Sequence, residues 1–136
     1  MDSDIVVETK NYVEDLLGNN YSEEFSYHNL EHTREVVKAV LKIVENSELN
    51  VDQHEMVIIA AWFHDTGYTK DTDDHENESK RIAEDFLQER NYPAHKITIV
   101  ENAIEATRIP QNPKDIVGEV LCDADMFHLA TNKFMK

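Results

Sequence analysis

Four side chains of types that can bind a divalent cation lie at apolar positions of this sequence. His64 and Asp65 close the apolar run 56–63, and His32 and Asp125 lie on the inward stripes of two other helical patterns. Burying an imidazole or a carboxylate is costly unless a polar or charged partner compensates for it. A shared cation would offset that cost for all four, so the sequence predicts a His-His-Asp-Asp metal site. For each residue alone, a hydrogen-bonded core histidine or a capping aspartate is the alternative.

Two imidazoles and two carboxylates form a nitrogen and oxygen donor set. Such a set favours one divalent ion among Mn, Fe, Ni, Co and Mg over a closed structural zinc site. Coordination positions left open would hold water or substrate oxygens, and the ion could activate water for attack on phosphorus. The sequence around His75 lacks the second histidine of the HExxH motif, which argues against a zinc protease of that type.

The elements that must position these residues are helices. Apolar residues recur every three or four positions in six segments. We expect these segments to begin near Asp2 or Ser3, Asn29, Asp52, Asp73 or Asp74, Pro93 and Asp115. The third segment is apolar on all sides and is therefore expected to be the central buried helix.

Several boundaries follow from local signals. We expect a loop over 19–27, a capping box formed by Asp52 and Glu55, and a helix stop at Gly67. The predicted fold class is all-α, a single-domain bundle of about six helices over residues 1–136. Because the apolar pattern continues to the last residue, we expect this domain to be the N-terminal part of a longer protein.

The composition sets the expected partners and compartment. There are 13 Lys and Arg against 28 Asp and Glu, a net charge of −15 that repels a nucleic-acid duplex or an anionic membrane surface. Cys122 is the single cysteine, which excludes an intrachain disulfide and favours a reducing compartment. We find no signal peptide or membrane-spanning run and expect a cytoplasmic protein. A homodimer is left open.

The order His32, His64-Asp65, Asp125 resembles the HD superfamily of metal-dependent phosphohydrolases. The resemblance extends from about Tyr27 to Leu129 and rests on separate segments: Tyr27–Thr33, Ala60–Tyr68, His75-Glu76 with Ser79, and Asp123–Asp125. It implies an all-helical HD-type fold and metal ligation by His32, His64, Asp65 and Asp125. It also implies hydrolysis of a nucleotide or another small phosphate ester, by a phosphomonoesterase or phosphodiesterase reaction.

The same resemblance bears on the number of ions and on the proton transfers. His75 matches the first of the additional histidines found in relatives that bind two metals, but Thr107 stands where many relatives have a later histidine, so we expect one ion. Asp65 or a nearby acid is the candidate for assisting proton transfer from water. His75 either only packs at the start of its helix or contacts the leaving group as a general acid.

Four residues are candidates for binding the substrate. Lys70, Arg81 and Arg108 adjoin the predicted site and could hold phosphate oxygens, although each could equally be an ordinary surface cation. His28, one turn before His32, faces the same region, where it could instead support a ligand or position the second helix.

Two other functions compete with hydrolysis. A regulatory HD module would keep the metal pocket and bind a nucleotide with weak or no hydrolysis. A helical interaction domain would contain a buried polar network and no metal.

Overall fold

A computed structural model describes residues 4–18, 23–69, 74–108 and 111–135, and for residues 23–29 and 127–135 it describes the backbone alone. All regular secondary structure in these ranges is helical, which confirms the predicted all-α bundle. The six α-helices are α1 (Asp4–Gly18), α2 (Glu23–Glu45), α3 (Val51–Phe63), α4 (His75–Glu89), α5 (Ala94–Ala106) and α6 (Ile116–Met135). A 3-10 turn, Thr66–Thr69, connects α3 toward α4.

Helix α3 is the centre of the bundle, as its all-round apolar sequence predicts. Every residue from Met56 to Phe63 is buried, and α3 packs against all five other α-helices. Because α3 lies at the centre, its C-terminal end is surrounded by other helices. The His64-Asp65 doublet follows directly after that end.

The predicted loop over 19–27 is wrong from Glu23 onward, because α2 begins there rather than near Asn29, and its first part, 19–22, lies outside the described residues. Two consecutive acidic residues, Glu23 and Glu24, open the helix. Negative side chains in a first turn are stabilised by the positive end of the helix dipole. The polar and aromatic composition that suggested a loop is therefore compatible with a helical start.

The capping box of α3 lies two residues earlier than predicted. The Asn50 side chain accepts a hydrogen bond from the Gln53 backbone at 2.8 Å, and the Gln53 side chain accepts one from the Asn50 backbone at 3.0 Å. Asn50 and Gln53 have the same three-residue spacing as Asp52 and Glu55, so spacing alone could not select between the two pairs.

The end of α3 also differs from the expected stop at Gly67. The helix ends at Phe63, with His64 as its C-cap. The Thr66 hydroxyl donates to the Phe63 carbonyl at 2.8 Å and so satisfies one of the carbonyls that a helix end leaves without a partner. Gly67 instead allows a close approach between the 3-10 turn and the start of α4. A Cβ there would overlap the His75 carbonyl and lie 2.8 Å from the Ser79 backbone nitrogen.

Candidate metal centre

Three helices bring four predicted ligands together at the end of α3. His32 comes from α2, His64 and Asp65 from the end of α3, and Asp125 from α6. The His32 Nε2 atom lies 3.2 Å from Asp65 Oδ2 and 3.4 Å from Asp125 Oδ1. One ligand atom from each of His32, His64 and Asp125 lies within 4.8 Å of the others. We call these four residues the ligand side of the site.

Asp65 joins the ligand side to a second group of residues. Its Oδ2 atom lies 3.3 Å from His64 Nε2, whereas its Oδ1 atom lies 3.3 Å from His75 Nε2. The carboxylate therefore presents one oxygen to the two ligand-side histidines and the other to α4.

His64 has a polar atom that the protein alone does not satisfy. Its ring is 1% exposed, and its Nδ1 atom lies 2.7 Å from the Ala61 carbonyl oxygen, to which it donates. Its Nε2 atom has no hydrogen-bond partner, although Asp65 and Asp125 oxygens lie 3.3 and 3.7 Å away. Donation from Nδ1 is the usual way in which a protein orients a metal-binding imidazole, with the Nε2 lone pair left for the ion.

The residues therefore fit a divalent ion. Nearly all buried polar atoms in proteins are satisfied, so an orphaned nitrogen beside two carboxylates needs an explanation. Imidazole nitrogens and carboxylate oxygens suit Mn²⁺, Fe²⁺, Co²⁺ and Ni²⁺, and Mg²⁺ is compatible with the carboxylates.

The charges on the ligand side are strongly coupled. Burial lowers the pKa of His64, but the Asp65 charge and the contact with Asp125 outweigh it and raise the pKa to about 9. Burial also lowers the pKa of His32, but its hydrogen bonds to Asp125 and Asp65 outweigh burial and raise the pKa to about 8. Burial would raise the pKa of each carboxyl, but the neighbouring histidines hold the pKa values of Asp65 and Asp125 well below their usual range. A cation and protons thus compete for the same atoms.

A second group of side chains comes from the start of α4 and from the residue after the C-cap of α5. His75 Nε2 lies 3.3 Å from Glu76 Oε2 as well as from Asp65 Oδ1. Glu76 is 8% exposed, and its Oε1 atom lies 3.5 Å from Arg108 Nη1. We call His75, Glu76 and Arg108 the α4 side.

Sequence reasoning missed the role of Tyr68. Its ring stacks on His75 with the centroids 3.9 Å apart and the planes 13° apart. Burial raises the pKa of the Tyr68 phenol, and the charges of Asp65, Glu76 and Asp125 raise it further. The available signal was an aromatic residue directly after Gly67, next to the doublet.

Of the four candidate substrate-binding residues, the structure places one beside the site and one away from it, and two lie wholly or in part outside the described residues. Arg108 adjoins the α4 side, whereas Arg81 lies on the exposed face of α4 and pairs with Glu78 and Asp85 of the same helix. Lys70 and the side chain of His28 lie outside the described residues.

Thr107 does not need a partner from the site. It is buried, and its hydroxyl donates to the Ile104 carbonyl of its own helix at 2.7 Å. The expectation of a single ion stays a prediction.

Comparisons with known proteins give one family. A family model described as HD domain matches residues 29–130. Neither the curated proteins nor the solved structures contain a significant match to the chain. The matched range includes all four residues of the ligand side and all three of the α4 side. None of the helices in the described part of the chain has the length and apolar character needed to cross a membrane.

Proposed function

The chain belongs to the HD domain family, a superfamily of metal-dependent phosphohydrolases, and on that premise we propose that it hydrolyses a nucleotide or another small phosphate ester. The proposed ligands are His32, His64, Asp65 and Asp125.

The observation that carries this proposal is the orphaned Nε2 atom of His64. It is buried and makes no hydrogen bond of good geometry, although Asp65 and Asp125 oxygens lie 3.3 and 3.7 Å away. Most buried polar atoms in a purely structural network have a hydrogen-bond partner. A helical interaction domain without a metal does not account for it.

The protein's own groups supply orientation and proton transfer. A bound divalent ion would polarise a phosphoryl oxygen and lower the pKa of water. The Ala61 carbonyl fixes the tautomer of His64 through Nδ1. Asp65 Oδ1 faces His75 rather than the ligand side. This oxygen is the proposed acceptor of the proton from the attacking water. His75 is partly exposed and is the proposed proton donor to the leaving oxygen.

The charge of the site makes the reaction dependent on the ion. Asp65, Asp125 and Glu76 place three carboxylates at the site. A phosphate ester is itself anionic, so these carboxylates repel it when no cation is bound. We expect both substrate binding and turnover to be lost on chelation.

The test is a hydrolysis assay with a panel of divalent ions. Metal-depleted protein receives Mn²⁺, Fe²⁺, Co²⁺, Ni²⁺ or Mg²⁺ and is assayed on p-nitrophenyl phosphate, bis(p-nitrophenyl) phosphate and a nucleotide panel. The proposal predicts metal-dependent turnover that Asp65→Asn abolishes while circular dichroism shows an unchanged helical fold. The monoester and diester substrates distinguish the two reaction types.

An absence of turnover with every ion on every substrate would contradict hydrolysis. Tight nucleotide binding in that case would identify the chain as a sensor module. A protein that bound neither metal nor nucleotide would support the interaction domain.

A further inference from the structure

The guanidinium of Arg108 is surrounded by carboxylates. Its Nε lies 2.8 Å from Glu105 Oε2, its Nη2 lies 3.2 Å from Asp74 Oδ1, and its Nη1 lies 3.5 Å from Glu76 Oε1. Each of its three nitrogens therefore has an acidic partner. A substrate phosphate would have to compete with these carboxylates for the Arg108 donors.

These contacts connect the end of α5 to the start of α4. Arg108 follows the C-cap of α5, and Asp74 occupies the N-cap position of α4. The Asp74 side chain makes no cap hydrogen bond and contacts Arg108 and Asn77 instead. His75 and Glu76 are the first two residues of α4, so Arg108 holds the turn that carries both.

Glu76 depends on Arg108 for its charge compensation. A buried carboxylate is costly without a cation or hydrogen-bond donors. Arg108 Nη1 and His75 Nε2 both lie in contact with the Glu76 carboxylate. One Glu76 oxygen faces each of them, so the Arg108 contact sets the position of the oxygen that faces His75.

His75 is held on two sides. Tyr68 stacks on its ring and sets the ring plane, and its Nε2 lies 3.3 Å from both Asp65 Oδ1 and Glu76 Oε2. A rotation of the Glu76 carboxylate would therefore change the direction in which His75 presents its nitrogen. Contacts run without a break from Arg108 through Glu76 and His75 to Asp65.

We propose that Arg108 is a positioning residue that orients Glu76, and through it His75, for proton transfer, and that it does not bind the substrate phosphate. This inference rests on the proposed function in that its rate measurement is a hydrolysis rate. It replaces the expectation from the sequence that Arg108 holds phosphate oxygens.

The kinetic test compares Arg108→Met, Arg108→Lys and Glu76→Gln in Mn²⁺-loaded protein, with p-nitrophenyl phosphate as substrate. Loss of a group that orients a reacting residue is expected to lower kcat about tenfold or more with KM nearly unchanged. Arg108→Lys keeps the charge and should recover part of the rate. In the Glu76→Gln background, Arg108→Met should cause little further loss, because the two residues act in series.

Arg34→Met is the matched control. Arg34 pairs with Glu14 at 3.1 Å on the surface formed by α1 and α2, and it is not part of the site. It should change neither kcat nor KM. A raised KM with unchanged kcat in Arg108→Met, together with weaker inhibition by inorganic phosphate, would overturn the inference.

A second measurement does not depend on turnover. In metal-free protein, the ring resonances of His75 report its environment by NMR. They should shift in Arg108→Met and in Glu76→Gln, and they should stay at the wild-type position in Arg34→Met. Unmoved His75 resonances in Arg108→Met would overturn the inference. If the wild-type protein hydrolyses nothing, the proposed function fails, while this measurement still decides whether Arg108 orients His75.

Discussion

The two sides of the site differ in how their polar atoms are satisfied. On the ligand side, His64 Nε2 is buried beside two carboxylates and makes no hydrogen bond. On the α4 side, Glu76 and Arg108 compensate one another, and Arg108 has two further acidic partners. The ion pairs of the α4 side need no further partner, whereas the unsatisfied nitrogen of His64 is open to a bound ion. This difference supports the two proposals made above, that the ligand side binds the ion and that the α4 side orients reacting groups.

The largest expected effect comes from removing the unsatisfied imidazole. His64→Ala should weaken Mn²⁺ binding on the order of 1000-fold, because the binding free energy of a protein metal site, about 10 to 16 kcal/mol for structural zinc, is shared among about four ligands. His54→Ala is the matched control, since His54 lies near the opposite end of the same helix. Isothermal titration calorimetry measures both.

The helical content of His64→Ala is checked by circular dichroism. Asp125→Asn, which preserves side-chain shape, gives a second test should His64→Ala fail to fold. Retained Mn²⁺ affinity in a folded variant of either kind would break the assignment of ion binding to the ligand side.

Gly67→Ala tests the close packing of the 3-10 turn against the start of α4. The new Cβ would overlap the His75 carbonyl, and Gly67 also donates to the Ser79 hydroxyl at 2.7 Å. We expect a loss of about 3 kcal/mol in the free energy of unfolding, at the upper end for overpacking against backbone. Gly18→Ala has nothing within 4 Å of its Cβ and should leave stability almost unchanged. Equal urea midpoints for the two variants would show that the contact at Gly67 relaxes at little cost.

The pH dependence separates the metal-free ligand side from the occupied one. The pKa values of His32 and His64 rise from 6.5 to about 8 and about 9. The stability that these histidines contribute is therefore complete below pH 6.5 and is lost as the pH rises through 8 to 9. The lowered pKa values of Asp65 and Asp125 contribute stability that is present above pH 3.8 and is lost at lower pH.

Metal-free protein should thus have its highest melting temperature between about pH 4 and 6.5. Mn²⁺ binds the deprotonated imidazoles, so its stabilising effect should be larger at pH 8.5 than at pH 6. Differential scanning fluorimetry with and without Mn²⁺ measures both trends. A Mn²⁺ shift that is largest at pH 6 would contradict ligation by these histidines.

The smallest expected effect concerns the scaffold far from both sides. Asn50→Ala removes the N-cap of α3 and should cost about 1 kcal/mol of stability. Mn²⁺ affinity should not change, because Asn50 lies at the other end of the helix from the doublet. A loss of affinity comparable to that of His64→Ala would show that the site depends on global stability rather than on its own atoms.

The sequence was most informative where one strong signal acted over many residues. The all-round apolar run of α3 predicted a central buried helix, and the structure confirms it. The polar residues at apolar positions predicted which side chains meet, since burial of His64 or Asp125 demands a partner within the bundle. Local boundaries were less certain, because Asn50 with Gln53 and Asp52 with Glu55 have the same spacing.

The α4 side was harder to predict. The role of Arg108 depends on where the end of α5 meets the start of α4, which is a tertiary contact without a local sequence pattern. From the sequence, Arg81 and Arg108 are both cations near the site. In the structure, Arg81 pairs on the outer face of α4, whereas Arg108 reaches the buried Glu76.

The most direct test of the central claim is a crystal structure of the protein soaked with Mn²⁺, with anomalous scattering measured near the manganese edge. The account predicts one strong peak bonded to His32 Nε2, His64 Nε2, Asp65 Oδ2 and Asp125 Oδ1, at about 2.0 to 2.3 Å. No peak at this position, or a peak whose ligands do not include His64 Nε2, would contradict it.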